Sequence, residues 1–273
     1  GGLDPCVCCL KYLAWTLWLL GYPDQALKRA DEAQPLARQV ANLYTQARSL
    51  YWDSLVRQFT GQWDVLRERI EVAIKLATEH GFALVLGVGP IMRGWALVNE
   101  GRAEEGIKDI RQGLERYRAT GAAFQLPHLL TSLVEAHKKA GQPEDGLSVL
   151  VEALAIAEKT GEHYYEAELL RLNGELLLIK SPSDPAEAEA CFQRALEIAD
   201  RQHAKSLELR AVLSLARLWK HQGKTGDARK LLSDTLAWFT EGFETVDLRD
   251  AKAFLNELGE STETGINDIR AAE

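Results

Sequence analysis

The chain has 273 residues, 46% of them apolar, enough for a sizeable buried core, and 32 basic against 40 acidic residues give a net charge of −8. With no run of Lys and Arg to track phosphates, nucleic acid is excluded as an expected partner. No stretch approaches the roughly 18–20 uninterrupted apolar residues of a membrane span, so a membrane is excluded as well.

From the N-terminus, Gly1-Gly2-Leu3-Asp4-Pro5 carries neither a starting methionine nor the basic and apolar regions of a secretory leader, and the chain is expected to begin inside a longer protein. Cys6, Cys8, Cys9 and Cys191 form no spaced framework, and Cys6-x-Cys8-Cys9 has no second ligand pair elsewhere. Reduced thiols in a cytoplasmic protein are expected, with no metal.

Turn glycines follow at Gly21, Gly61, Gly101 and Gly141, 40 residues apart; Ser183 comes 42 residues later and Gly223 another 40. Between them apolar residues recur at three and four, as in Leu147, Leu150, Val151, Leu154 and Ala157, the stripe of an amphipathic helix. Second turns at His80-Gly81, Thr120-Gly121 and Thr160-Gly161 place glycine just past a helix end. Each copy is therefore a hairpin of two helices of about 16 to 19 residues. The hairpins fall at roughly 6–40, 42–80, 82–120, 122–160, 162–202 and 204–241, with a capping helix at 245–258 and a flexible polar tail at 259–273.

Three small columns and one bulky column keep this register. Ala14, Ser54, Gly94, Val134, Gly174 and Ala216 precede the turns; Ala26, Leu66, Gly106, Gly146, Ala188 and Ala228 follow them. The next small column runs Ala33, Ala73, Gly113, Ala153, Ala195 and Thr235, and the bulky one Ala30, Ile70, Ile110, Leu150, Phe192 and Leu232. This is the pattern of the tetratricopeptide repeat (TPR), so the expected fold is all-α, a TPR-like right-handed superhelical solenoid of about six hairpins plus a C-terminal cap. Pro127 fits a first helical turn, whereas Pro90 falls mid-helix behind Gly87-Val88-Gly89, where a kink or a late helix start and the least regular packing are expected.

The residues Leu19-Leu20-Gly21-Tyr22-Pro23-Asp24-Gln25-Ala26-Leu27, Arg93-Gly94-Trp95-Ala96-Leu97 and His163-Tyr164-Tyr165-Glu166-Ala167-Glu168-Leu169-Leu170-Arg171-Leu172 carry a family likeness, as do Ala204-Lys205-Ser206-Leu207-Glu208-Leu209-Arg210 and Trp238-Phe239-Thr240-Glu241-Gly242-Phe243. With them the chain resembles, nearly end to end, the C-terminal tetratricopeptide region of bacterial proteins that join a class III adenylate/guanylate cyclase domain, a P-loop ATPase domain and such repeats. The resemblance implies a regulatory, protein-binding arm whose cyclase and ATPase sites lie upstream; it implies no ligand.

Within the chain no constellation for catalysis, a cofactor or a metal is visible. Gly223-Lys224-Thr225 lacks the earlier glycine of a phosphate loop, since Leu218 stands there; the 6 histidines form no metal-ligand pair, and no nucleophile elbow occurs. The candidate binding residues line the expected concave groove. Trp15, Trp18 and Trp95 either present an aromatic surface to a peptide, or pack in the hairpin interior or at an interface with upstream repeats. Register brings His128, Glu135 and Lys138 beside Glu168, Arg171 and Glu175. Arg171 either pairs only along its own helix, each pair contributing about 0.2–0.5 kcal/mol, or anchors a partner's charged group. The expected partners are a protein or peptide in the groove and the upstream domains of the same polypeptide; the alternative is a small-molecule-sensing solenoid of a signal-transduction ATPase or transcription activator.

Overall fold

The computed structural model describes residues 2–270, with side chains to residue 259. Among the described residues there are thirteen helices and no strand. Twelve of them form six hairpins: α1 Pro5–Leu19 with α2 Pro23–Gln39, α3 Leu43–Thr60 with α4 Trp63–His80, α5 Ala83–Asn99 with α6 Ala103–Ala119, α7 Leu126–Lys139 with α8 Pro143–Thr160, α9 Glu166–Lys180 with α10 Ala186–Arg201, and α11 Lys205–His221 with α12 Thr225–Leu236. Proline opens α1, α2 and α8, where its missing N–H has no helical partner to lose. The repeat glycines Gly21, Gly61, Gly101, Gly141 and Gly223 take left-handed φ of 70–90° at the turns. α13, Val246–Arg270, buries Leu248, Ala251, Phe254 and Leu258 against α11 and α12, covering the last hairpin's apolar face.

Two expectations need correction. The helix does not stop at 258 but runs through residues 259–270, because an established helix extends at one hydrogen bond per residue fixed; residues 271–273 lie outside the described residues. Nor does α5 start late: Pro90 sits inside it, and the residue before, Gly89, has no Cβ to make the clash that normally drives a pre-proline residue out of helix. The packing here is also the tightest rather than the loosest. A Cβ on Gly94 would stand 2.6 Å from the Gly106 carbonyl oxygen, and one on Gly113 2.7 Å from that of Gly87, so α5 and α6 meet backbone to backbone. Gly94→Ala should therefore cost about 1–3 kcal/mol, since no flexible side chain can yield; urea denaturation against wild type measures it.

The array closes on itself. Ser206 Oγ donates to the Trp18 carbonyl at 2.5 Å, Gly242 N–H to Asp24 at 2.9 Å, and Gln25 donates twice to Glu241 at 3.0 Å. Gly21 packs under Trp238 and Phe239, where a side chain would collide. The first hairpin thus meets the last, and the inner helices α1, α3, α7, α9 and α11 pack across the middle instead of lining an open groove.

Candidate functional site

The inner helices run parallel, so cross-ring contacts repeat in register: Tyr51 OH reaches Gln125 Oε1 and Gln58 Nε2 reaches Ser132 Oγ, each pair 74 residues apart. Aromatic rings fill the middle. Trp18 stacks on Phe59 with centroids 4.0 Å apart, and Trp15 meets Trp52 at 5.2 Å and Tyr164 at 4.8 Å. His128 lies between Phe59 and Tyr165, with centroids at 5.4 and 4.7 Å, and neither ring nitrogen has a hydrogen-bond partner. Burial, with Arg210 nearby, pushes its pKa down to about 3 although Glu168 opposes this. Trp15, Trp18 and His128 therefore do not offer a groove surface; ring closure has covered them.

Beside this aromatic centre a buried ion network crosses four helices. Arg171 Nε and Nη2 grip both oxygens of Glu168 at 2.8 Å, and Nη1 reaches Glu175 at 2.5 Å. Lys138 bonds the other oxygen of Glu175 at 2.5 Å, and Ser214 donates to Glu175 at 2.8 Å. Arg210 completes the chain, bonding Glu168 at 3.2 Å and Asp247 of α13 at 2.8 Å. Three cations face three carboxylates, so the cluster is neutral. Burial alone would raise Glu168 and Glu175, but the flanking Arg171, with Arg210 at Glu168 and Lys138 at Glu175, outweighs it and holds both near about 2. At Asp247 burial wins and the carboxyl stays above its ordinary range.

The network forms one wall of a half-enclosed cavity of about 230 Å³ at the end of the ring where α7 and α9 finish. Phe59, Trp63, Trp95 and Tyr165 form an aromatic wall, and α13 supplies Val246, Asp247 and Asp250. Trp95, packed on Trp63 at 4.4 Å, donates its indole N–H to Glu135. Lys139 bonds Asn99 at 2.6 Å. Arg217 and Asp250 at the rim are exposed and have no ion-pair partner among the described residues. The structure thus brings Trp95, Glu135, Lys138, Arg171 and Glu175 together around one cavity, with Glu168 behind it, and leaves Trp15, Trp18 and His128 in the core.

Sequence reasoning missed Arg210, Arg217, Ser214 and the three α13 residues. A signal existed for two of them: Arg210 and Arg217 stand 42 residues after Glu168 and Glu175, one repeat on in the same columns. Nothing periodic points to Asp247 or Asp250, which lie in the cap.

No protein-family profile matches the chain. A curated relative, an uncharacterised protein of Rhizobium meliloti (strain 1021), is 28% identical over 218 residues, 80% of this chain and 21% of that protein, so the chain spans about a fifth of the relative it matches. Among solved structures, the apo form of RapI superposes with a TM-score of 0.64 at 11% identity, covering 92% of this chain and 86% of that one. A Rap protein complexed with Competence and Sporulation Factor gives 0.62 at 14% identity, over 93% of this chain and 75% of the other. A Signal Transduction ATPase with Numerous Domains from Pyrococcus horikoshii, which has a tetratricopeptide repeat sensor, gives 0.55 at 14% identity over 96% of this chain and 44% of that protein. These likenesses establish the TPR-like solenoid fold.

Proposed function

We propose that the chain is a protein-interaction module, the regulatory arm of a larger cytoplasmic bacterial signalling protein, with residues 1–258 acting as one repeat domain. It works by binding, and any cyclase or ATPase chemistry belongs to other domains of its polypeptide. The observation that carries this reading is the cavity beside α13, which keeps unneutralised Arg217 and Asp250 at its rim while the charges behind them are paired. Because the ring is closed, a partner helix has no groove to lie in. The cavity suits one or two charged side chains of an extended segment, anchored against the Trp63–Trp95 wall. The solved Rap complex and the ATPase sensor lend support, since both place this fold in proteins named for a bound factor or for sensing.

The small-molecule alternative draws on the same feature, because about 230 Å³ also accommodates a compact charged ligand. Affinity capture from a bacterial lysate with wild type and with Arg217→Glu/Asp250→Lys separates the readings. The interaction reading expects a retained polypeptide whose Kd weakens at least about tenfold in the charge-reversed protein, ~1.4 kcal/mol. A polypeptide held equally by both proteins places the partner elsewhere; no retained polypeptide favours the small ligand.

A further inference from the structure

At the opposite end of the ring, where α7 and α9 begin, the charges do not balance. Lys11 is 5% exposed and Arg48 8% exposed, and neither has a carboxylate partner among the described residues. Both lie over the Trp52 indole, Lys11 Nζ at 4.4 Å and Arg48 Cζ at 5.9 Å from the ring centroid. Buried charges are ordinarily paired, and aromatic faces offset only part of their lost hydration. Around them is a set of hydrogen-bond donors with nothing to donate to: the indole N–H groups of Trp15 and Trp52, Arg48 Nε, Gln125 Nε2 and the Tyr164 hydroxyl. Native structures leave few such groups unsatisfied, and these fall together at one place.

The acids of this end are already committed. Glu162 accepts the Gln125 backbone N–H with both oxygens, at 3.0 and 3.1 Å, and Asp4 caps α1 through the Val7 N–H at 3.0 Å. Burial, followed by the charge of Arg48, depresses the Lys11 pKa to about 8, and Cys8 is the group that opposes it. What this end lacks is an acceptor with negative charge.

We propose that this end of the ring is an oxyanion-binding site, which takes a carboxylate or phosphate group between Lys11 and Arg48. A guanidinium beside an ammonium supplies a forked donor and a point charge, the pair that recognises such groups. The anion removes the electrostatic conflict between the two cations, and its binding stabilises the contact between α1 and α3. The site is separate from the cavity beside α13, so either can fail without the other.

The test uses the full chain and two probes, inorganic phosphate and an acetylated tetraglutamate peptide, each against chloride at matched ionic strength. Wild type should show a saturable rise in melting temperature with at least one probe. Lys11→Met and Arg48→Met, which keep the apolar stem, should each weaken that affinity by at least about tenfold, the size of one charge-assisted hydrogen bond. Lys75→Met on α4, which removes an exposed charge, should leave it unchanged. Saturation with phosphate identifies a free oxyanion as sufficient; a response to the peptide alone identifies a polypeptide carboxylate. Phosphate also stabilises proteins by exclusion from their surface, but that effect is common to all variants. Equal responses in wild type, Lys11→Met and Arg48→Met overturn the proposal. Should a variant fail to fold, titrating wild type with either probe while following the indole N–H resonances of Trp15 and Trp52 decides the matter: they shift if the site is real, and their silence to both rejects it.

Discussion

Arg171→Ala should lower the free energy of unfolding by about 3–5 kcal/mol, the range for removing one partner from a buried ion pair. Viewed along α9 alone, Arg171 makes two intrahelical pairs, with Glu168 three residues back and Glu175 four ahead, which on a solvated face would contribute only about 0.2–0.5 kcal/mol each. Burial changes the scale. Glu168 is 1% exposed, and without Arg171 it keeps only the single 3.2 Å contact from Arg210. Lys138→Ala provides the contrast, because Lys138 and Glu175 are 25% and 19% exposed and Glu175 retains Arg171 and Ser214; it should cost about 1 kcal/mol or less. A double-mutant cycle of Arg171→Met with Glu168→Gln should recover much of the loss, since it removes both charges and leaves none stranded. Urea denaturation of wild type, Arg171→Ala, Lys138→Ala and the three variants of the cycle measures all of this. A loss under about 1 kcal/mol for Arg171→Ala would mean that the pairs act as surface pairs and that the network adds nothing.

The same comparison explains how much of the molecule can be read from its sequence. The turn glycines and the small columns report local requirements, a left-handed residue and a close helix approach, and these repeat in every copy. They are therefore visible as period. Gly94 and Gly106 show the limit, for the columns mark them as small without revealing that Pro90 belongs to the best-packed hairpin. Ring closure depends on Trp18 with Ser206 and Asp24 with Gly242, contacts 188 and 218 residues apart that join the two ends of the array. No local rule encodes them, and they decide whether the concave side is a groove or a core. For that reason Trp15, Trp18 and His128 have the right address on the inner face and the wrong environment. Lys138, Glu168, Arg171 and Glu175 were legible together because neighbouring repeats align their columns; Asp247 lies outside the period.

His128→Phe should remove about 2 kcal/mol of acid destabilisation between pH 7 and pH 5. The folded state keeps the imidazole neutral, with its pKa depressed to about 3 by burial, while the unfolded chain titrates near the ordinary value of 6.5. Between those values the unfolded state binds a proton that the folded state refuses, so stability rises with pH and falls as pH drops below 6.5. At pH 5 the unfolded group is about 1.5 units below its pKa, which at 1.36 kcal/mol per unit gives ~2 kcal/mol. Glu168 and Glu175 have the same sign in a lower window, losing their contribution as pH falls from 4.5 toward about 2. Asp247 works against them, because its raised pKa lets the folded state take up a proton first. The difference between variant and wild type from pH 7 to pH 5 therefore isolates the imidazole, because the carboxylates are common to both proteins. At pH 7 the substitution should be neutral or stabilising by ~1 kcal/mol, since phenylalanine fills the slot between Phe59 and Tyr165 without two unpartnered ring nitrogens. Urea midpoints at pH 7, 6 and 5 should diverge steadily in favour of the variant; parallel curves would show that His128 is protonated in the fold or exchanges freely with solvent.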